Sequence, residues 1–349
     1  EDLRQVKGIW FRTKKGDIVK NPREGLVADL DVLPPPALDL FPMEKYFPPV
    51  YVRGKKVAHL LTSRGCPFKC TFCETKLTFG RSFRYHSTER VIEEMEKLIA
   101  AGYDSFQFYD DIFTINKERV KRLCEAILER KWNIRFMCFT RTNCLSEDML
   151  ALMKKAGCYA FAFGIESANA AVLEKVKKDE TIEEIEEAIN ISVEEGIECQ
   201  GFFIFGLPGE TKESIEETIA FAKRTKLPRA QFLILDVLPG TELWTKLQGK
   251  FTPNWRKQSY REPEWIPEGL TKEDLISAQT RAFRSFYFRP KTLWKMMSTI
   301  RPDQYKFLIK RITDFRILPK IFKPKEYDKE IISGVELPLT FSDSTSKYC

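Results

Sequence analysis

The sequence predicts an α/β fold: a partial (β/α)6 TIM-type barrel of parallel strands, with an N-terminal hairpin and linker and a C-terminal helical extension. Three observations predict it. Six short apolar runs recur between residues 57 and 237, amphipathic helical stretches separate them, and glycines close two of those stretches before the next run. Near-continuous apolar strands alternating with helices imply a parallel sheet covered by helices and built from right-handed βαβ units. The length of 349 residues accommodates one barrel of roughly 200 to 250 residues with flanking segments.

Residues 1–53 open with an expected hairpin, GIWFRTKKGDIVKNP, turning at Lys-Gly-Asp, followed by the proline-rich linker VLPPPALDLFPMEKYFPP. The barrel is expected over 54–245. Its strands are VAHLLT (57–62), SFQFYD (105–110), IRFMCFT (134–140), YAFAFGI (159–165), CQGFFIFG (199–206) and AQFLILDV (230–237). Between them, Val91, Met95, Leu98 and Ile99 share one helical face after Thr88, and Gly102 ends that helix. Ile182, Ile185, Ile189 and Val193 repeat the pattern before Gly196. Residues 246–349 form the extension, a basic helical cap.

Composition excludes several classes. The chain is 43% hydrophobic and 31% charged, and no apolar run reaches the roughly 18 residues of a membrane-spanning helix. It begins at Glu1 without the basic-then-apolar pattern of a secretory signal, as a fragment or trimmed chain would. Nine cysteines in no regular disulfide framework point to a reducing cytoplasm. His59 and His86 are the only histidines, which disfavours a Ser-His-Asp triad or a His-rich hydrolytic metal site. Charge is uneven: Arg281 to Lys325 holds thirteen Lys or Arg against Asp303 and Asp314. That segment interleaves bases with Phe, Tyr, Trp and Leu, and suits either a solvated cap over the barrel or a peripheral contact with acidic lipid. No RNA-binding module accompanies it, so nucleic acid is not expected.

In a (β/α) barrel the reacting groups sit at the carboxyl ends of the strands. The motif SRGCPFKCTFCE lies there, placing Cys66, Cys70 and Cys73 in a C-x3-C-x2-C spacing after the first strand. Three thiolates within eight residues can wrap one metal centre. A structural zinc or an ordinary ferredoxin cluster needs four protein ligands, and no fourth Cys or His follows nearby, so one iron would stay open. The alternative is a structural site completed by distant Cys138, Cys144 or Cys158. The spacings of Cys138, Cys144, Cys158 and Cys199 form no compact set for an auxiliary cluster.

With Phe72 at the aromatic position, this motif resembles that of the radical S-adenosylmethionine (SAM) superfamily. The resemblance implies a [4Fe–4S] cluster on Cys66, Cys70 and Cys73, SAM chelating the open iron, and reductive cleavage to a 5′-deoxyadenosyl radical that abstracts hydrogen from substrate. Phe72 would pack near the adenine. In FYDD, Asp110 beside Asp111 would contact the methionine amino group, or else cap the next helix. In FGIES, Glu166 with Ser167 would approach SAM, since a charge in an apolar strand is costly unless paired. GFFIFGLPGET resembles the glycine-rich fifth-strand motif, so that Gly201, Ile204 and Gly206 would approach the adenine, though the glycines also suit the turn into the helix begun by Thr211. Arg141 would pair with the SAM carboxylate or with a structural acid.

The hairpin, the linker, SRGCPFKC and the ending AFRSFYFRP resemble the cobalamin-associated branch. That branch carries a cobalamin-binding domain before the barrel, yet no D-x-H-x2-G motif is present and residues 1–53 are too few to form that domain. Either the domain lies upstream of Glu1 or the barrel works without it. The expected function is a radical SAM enzyme, possible cobalamin included, acting by methylation, cyclisation or C–C bond formation on a small-molecule or lipid-like substrate. Its reductant would be a flavodoxin or ferredoxin, and its place the cytoplasm or the membrane periphery. The competing class is an iron–sulfur protein that only carries electrons or holds its fold.

Overall fold

A computed structural model describes residues 2–43, 46, 48, 52–257, 259–300, 302–305 and 309. Two compact units divide the chain, residues 1–27 with 300–349 and residues 28–299. In the first, β1 (Trp10–Arg12) and β2 (Ile18–Lys20) form the expected antiparallel hairpin, in which Trp10 pairs with Lys20 and Gly16 turns at φ +94°. Lys20 Nζ lies 4.1 Å from the exposed Trp10 ring, covering part of it. Of the basic segment 281–325, residues 301, 306–308 and 310–325 lie outside the described residues, and part of the stretch expected to contact lipid lies there with them.

The second unit holds all six expected strands. They are β3 (Val57–Leu60), β6 (Ser105–Phe108), β7 (Arg135–Thr140), β8 (Cys158–Glu166), β9 (Glu198–Phe205) and β10 (Arg229–Ile234), joined in that order into one wholly parallel sheet. This is the partial barrel. The first strand ends earlier than its apolar run, because the chain breaks after Leu60 into a second pairing, β4 (Ser63–Arg64) against β5 (Arg84–Tyr85).

Helices cover one face of the sheet: α2 (Thr88–Ala100), α3 (Lys117–Glu129), α4 (Glu147–Lys155), α6 (Ile182–Glu194) and α7 (Lys212–Arg224). Short helices α1 (Thr75–Thr78), α5 (Ala170–Lys175) and α8 (Glu242–Leu247) lie near the strand ends. Ser87, one residue before the expected cap, accepts from Arg90 N and starts α2. Thr181 with Glu184 and Thr211 with Ser214 form capping boxes that start α6 and α7. Gly102 and Gly196 follow the helices they were expected to end, at φ +86° and +79°.

Phe108, Phe136, Phe161, Phe163, Phe203, Phe205 and Phe232 fill the core between sheet and helices, each at most 1% exposed. Full burial of such a ring contributes roughly 1.5–3 kcal/mol, so this layer carries much of the stability. Downstream, α9 (Lys272–Tyr287) sends Leu275, Ala278, Ala282 and Phe286 into the same core, and Tyr287 Oη donates to the Ala230 carbonyl at 2.6 Å. The extension therefore begins as part of the barrel's own packing before α10 (Pro290–Thr299). No helix among the described residues is long and apolar enough to cross a membrane.

Candidate active site at the strand ends

The loop from Gly65 to Phe83 leaves the sheet between β4 and β5 and carries all three motif cysteines. It is tied at several points. Gly65 sits at φ +96°, where a Cβ would run into the Ser82 carbonyl. Cys66 N donates to Gly80 O at 3.3 Å, Thr71 N to Val176 O at 3.0 Å, and Leu243 N to Thr71 O at 2.9 Å. Cys66, Cys70 and Cys73 line one small open cavity together with Phe68, Thr75, Lys76 and Arg81.

Two adjacent aspartates brace this loop in different ways. Asp110, fully buried, accepts from Thr62 N at 2.5 Å, Thr62 Oγ1 at 2.6 Å and Ser63 N at 3.1 Å, with Arg119 Nη2 at 3.5 Å. Its carboxylate is thus taken up by the chain break after β3. Asp111 reaches the cysteine segment, accepting from Gly65 N at 3.2 Å and Thr75 Oγ1 at 3.1 Å, while Cys73 Sγ stands 3.3 Å from that same hydroxyl.

Beside the cysteines lies a buried ionic network that local sequence gave little means of finding. Arg141 donates through Nη1 to Cys70 Sγ at 3.6 Å, through Nε to Asn143 Oδ1 at 3.3 Å, and through Nη2 to the carbonyls of Lys178 and Asp179. It also pairs with Glu180 at 3.3 Å and lies 3.8 Å from the Phe68 ring centroid. The structure therefore brings Arg141 to the structural acid that was its alternative partner. Lys178 Nζ stands 3.1 Å from Glu180 and 3.7 Å from Glu166. Two cations face two anions, so burial leaves no net charge uncompensated. Burial raises the Glu166 pKa and nearby Lys178 opposes it, whereas for Glu180 the burial penalty is overcome by Lys178 and Arg141 and the pKa falls. Lys178 and Glu180 sit in the run KVKKDE, whose composition resembles a solvated surface. The unusual backbone of Lys177 and Asp179, at φ +55° and +57°, turns Lys178 inward.

Glu166 reaches this network because the register of β8 against β9 shifts between Gly164 and Glu166, which itself sits at φ +69°. Ser167 does not accompany it. Its hydroxyl turns to α7, 3.3 Å from Thr218 Oγ1, and accepts from Asn169 N at 3.2 Å. Phe72 and Ile204 come together against the apolar cluster of Val172, Val176, Leu207, Leu235 and Val237. Gly201 lies apart from them, where a Cβ would press on Ile165, Phe203 and Leu227 at 2.9–3.0 Å; its place is core packing. Gly206, at φ +88°, donates its N–H to Glu210, a carboxyl whose burial pushes its pKa up to about 8.

The donor set fits an iron–sulfur cluster. In a cubane each thiolate binds its own iron, so the sulfurs must share a cavity without converging on one point. Among the described residues no three His, Cys, Asp or Glu gather as the ligands of a single ion. Of the suggested distant partners for zinc, Cys138 and Cys158 are buried in the core, and Cys144, half-buried, turns its thiol to Asn143 Oδ1 at 3.6 Å. Burial pushes the Cys66 thiol up to about 11 and raises that of Cys70 against the opposing charges of Lys178 and Arg141. Such thiols bind metal as thiolates, releasing their protons to solvent.

Comparison with known proteins agrees with this geometry. The family model described as the radical SAM superfamily matches residues 60–222. An uncharacterized methyltransferase of Pyrococcus horikoshii is 37% identical over 88% of this chain and 67% of its own length. The anaerobic magnesium-protoporphyrin IX monomethyl ester cyclase of Rubrivivax gelatinosus is 28% identical over 94% of this chain and 58% of its own. In fold, the chain is similar to OxsB, a cobalamin-dependent SAM radical enzyme solved with aqua-cobalamin and SAM, at TM-score 0.65 and 18% identity over 95% of this chain and 55% of that one. The chain thus spans between about half and two thirds of the length of these three proteins. From the cysteine loop through the parallel sheet to α7, sequence and fold agree, and the chain belongs to the radical SAM superfamily, whose enzymes work with a [4Fe–4S] cluster and SAM.

Proposed function

We propose that this chain is the catalytic barrel of an enzyme that transfers a methyl group to, or closes a ring on, a small hydrophobic molecule. The observation that carries the reading is the cysteine cavity standing directly against the Arg141–Glu180–Lys178–Glu166 network, through the Arg141 contact with Cys70. A methyltransferase and a cyclase among its relatives support the reaction class.

When bound, the cluster supplies the electron that cleaves SAM. The chain's own residues do the rest. Cys66, Cys70 and Cys73 hold the cluster, and the Gly65 turn with Asp111 and Thr75 keeps their loop in place. Phe72 and Ile204 offer an apolar seat for the adenine, closed off at the Gly206 turn. Glu166, buried and paired with Lys178 at 3.7 Å, presents an acceptor to the ribose hydroxyls or the amino group of SAM. Lys76 and Arg81 at the cavity suit an acidic electron carrier such as a flavodoxin or ferredoxin. Cobalamin would serve as the methyl carrier if this barrel works beside a cobalamin domain.

The test is anaerobic reconstitution of the cluster, then dithionite and SAM, with 5′-deoxyadenosine and S-adenosylhomocysteine assayed with and without cobalamin. Product from the parent and none from Cys70→Ala is the expected result. Neither product from a protein with a full cluster would leave only the electron-carrying reading.

A further inference from the structure

The face of the sheet turned away from the helices is built as a binding surface. Strand alternation sends Phe108, Cys138, Phe161 and Phe203 into the helix-covered core and the residues next to them to the opposite face. There, His59 of β3, Tyr109 just past β6, Phe139 of β7 and Phe202 of β9 form one continuous row. Their ring centroids are 5.2, 5.1 and 6.1 Å apart, with tilts of 38°, 41° and 26°. Between the last two, β8 places Ala162 beside Phe139 and Gly164 beside Phe202, so the two rings meet over small residues, with Ala160 and Tyr159 further along the same cluster.

This row is open. His59 is exposed, Tyr109 is 48% exposed, and Phe139 and Phe202 are half-buried. Partial desolvation holds the His59 pKa below the usual imidazole value, which favours its neutral ring. Beside it sits Gln200, 7% exposed and next to Ala162 in the ladder, whose side-chain amide bonds to no described residue and stays within reach of solvent. Such an amide can exchange its water for a polar group on a ligand. The face also runs into the SAM end of the barrel. Gly164, the ladder neighbour of Phe202, leaves the space into which Glu166 Oε1 and Lys178 Nζ fold, at 2.5 and 3.3 Å from where its Cβ would be.

We propose that this row binds a flat, unsaturated, multi-ring molecule, with Gln200 hydrogen-bonded to a carboxyl or amide group on its edge, and that this molecule is the substrate. The substrate role rests on the activity proposed above; the binding does not. The chemistry follows from the surface. Aromatic edges and faces attract a π face through their quadrupoles and give a saturated polycycle no such attraction. A row of four rings spread from β3 to β9 is too long for a single six-membered ring, which would touch one or two of them.

Titration of the full chain, cluster-loaded under anaerobic conditions, tests the assignment. The probes are protoporphyrin IX, etioporphyrin as the same macrocycle without carboxyl groups, and a saturated pentacyclic triterpane as competitor. Porphyrin absorbance and tryptophan quenching report binding. Saturable porphyrin binding is expected, with no competition from the triterpane. Phe139→Leu and Phe202→Leu should each weaken it roughly 3- to 10-fold, and Phe139→Tyr should retain it. Gln200→Leu should weaken protoporphyrin IX about 5-fold and leave etioporphyrin unchanged. Iron content and circular dichroism equal to the parent's show that each variant is folded. No porphyrin binding, equal affinity for the triterpane, or folded variants that bind like the parent would overturn the proposal. So would cobalamin displacing the porphyrin with the same losses in the variants, because the ring would then be a corrin. Binding through these residues without SAM cleavage would keep this surface and sink the activity; SAM cleavage without such binding would do the reverse.

Discussion

The guanidinium of Arg141 donates to Cys70 Sγ at 3.6 Å while it lies over Phe68 at 3.8 Å and pairs with Glu180 at 3.3 Å. One side chain therefore ties a cluster ligand to the buried ionic network. A cation held in a dry site stabilises added negative charge beside it. Replacing it with methionine should make the cluster harder to reduce, seen as a more negative midpoint in an EPR-monitored redox titration. Glu180 would also lose a buried partner, and the urea midpoint should fall by the equivalent of about 3 kcal/mol.

Gly65 precedes the first cysteine at φ +96°, and a Cβ there would meet the Ser82 backbone rather than a movable side chain. Gly65→Ala should cost about 1–3 kcal/mol of local strain. The neck of the loop would shift, and iron bound per chain after reconstitution should drop by more than half. The sheet itself should keep its circular dichroism.

Glu210 is 1% exposed, its Oε1 has no partner among the described residues, and burial pushes its pKa up to about 8. In the unfolded chain the same group titrates near 4.5. Between those values the fold keeps a proton that the unfolded chain has released. Stability must therefore fall as pH rises across that window, at about 1.4 kcal/mol per pH unit for this group. Glu210→Gln should flatten the slope of urea stability between pH 5 and 8 and exceed the parent at pH 8. An unchanged slope would contradict the assignment.

The neighbouring aspartates should separate by what they lose. Asp110→Asn leaves buried Arg119 without its counter-ion, and a cost of about 3–5 kcal/mol in urea unfolding is expected. Asp111→Asn touches only the loop, through Gly65 and Thr75. Iron binding should fall there with little loss of global stability.

The sheet was legible in the sequence because a parallel strand covered by helices shows itself as an apolar run, and YAFAFGI or CQGFFIFG has no other economical reading. The cysteine loop was legible because three ligands in eight residues form a local pattern. What was not legible depends on contacts between distant segments. Lys178 and Glu180 look like surface charge until the positive-φ turn at Lys177 and Asp179 brings them against Arg141. Ser167 and Gly201 stand near the right motifs, but the register shift in β8 sends Glu166 one way and Ser167 the other, and strand alternation keeps Gly201 in the core. Asp110 and Asp111 are equivalent as letters, and the break after Leu60 decides which one meets the cysteine loop.

The two-residue ladder of Ser63 with Tyr85 and Arg64 with Arg84 draws the ends of the cysteine loop together. Closing a loop costs chain entropy, though each doubling of length adds only about 0.6 kcal/mol. Here the closure belongs to the backbone pairing at the neck, so the residues between Arg64 and Arg84 can vary in number at small cost as long as that neck is kept.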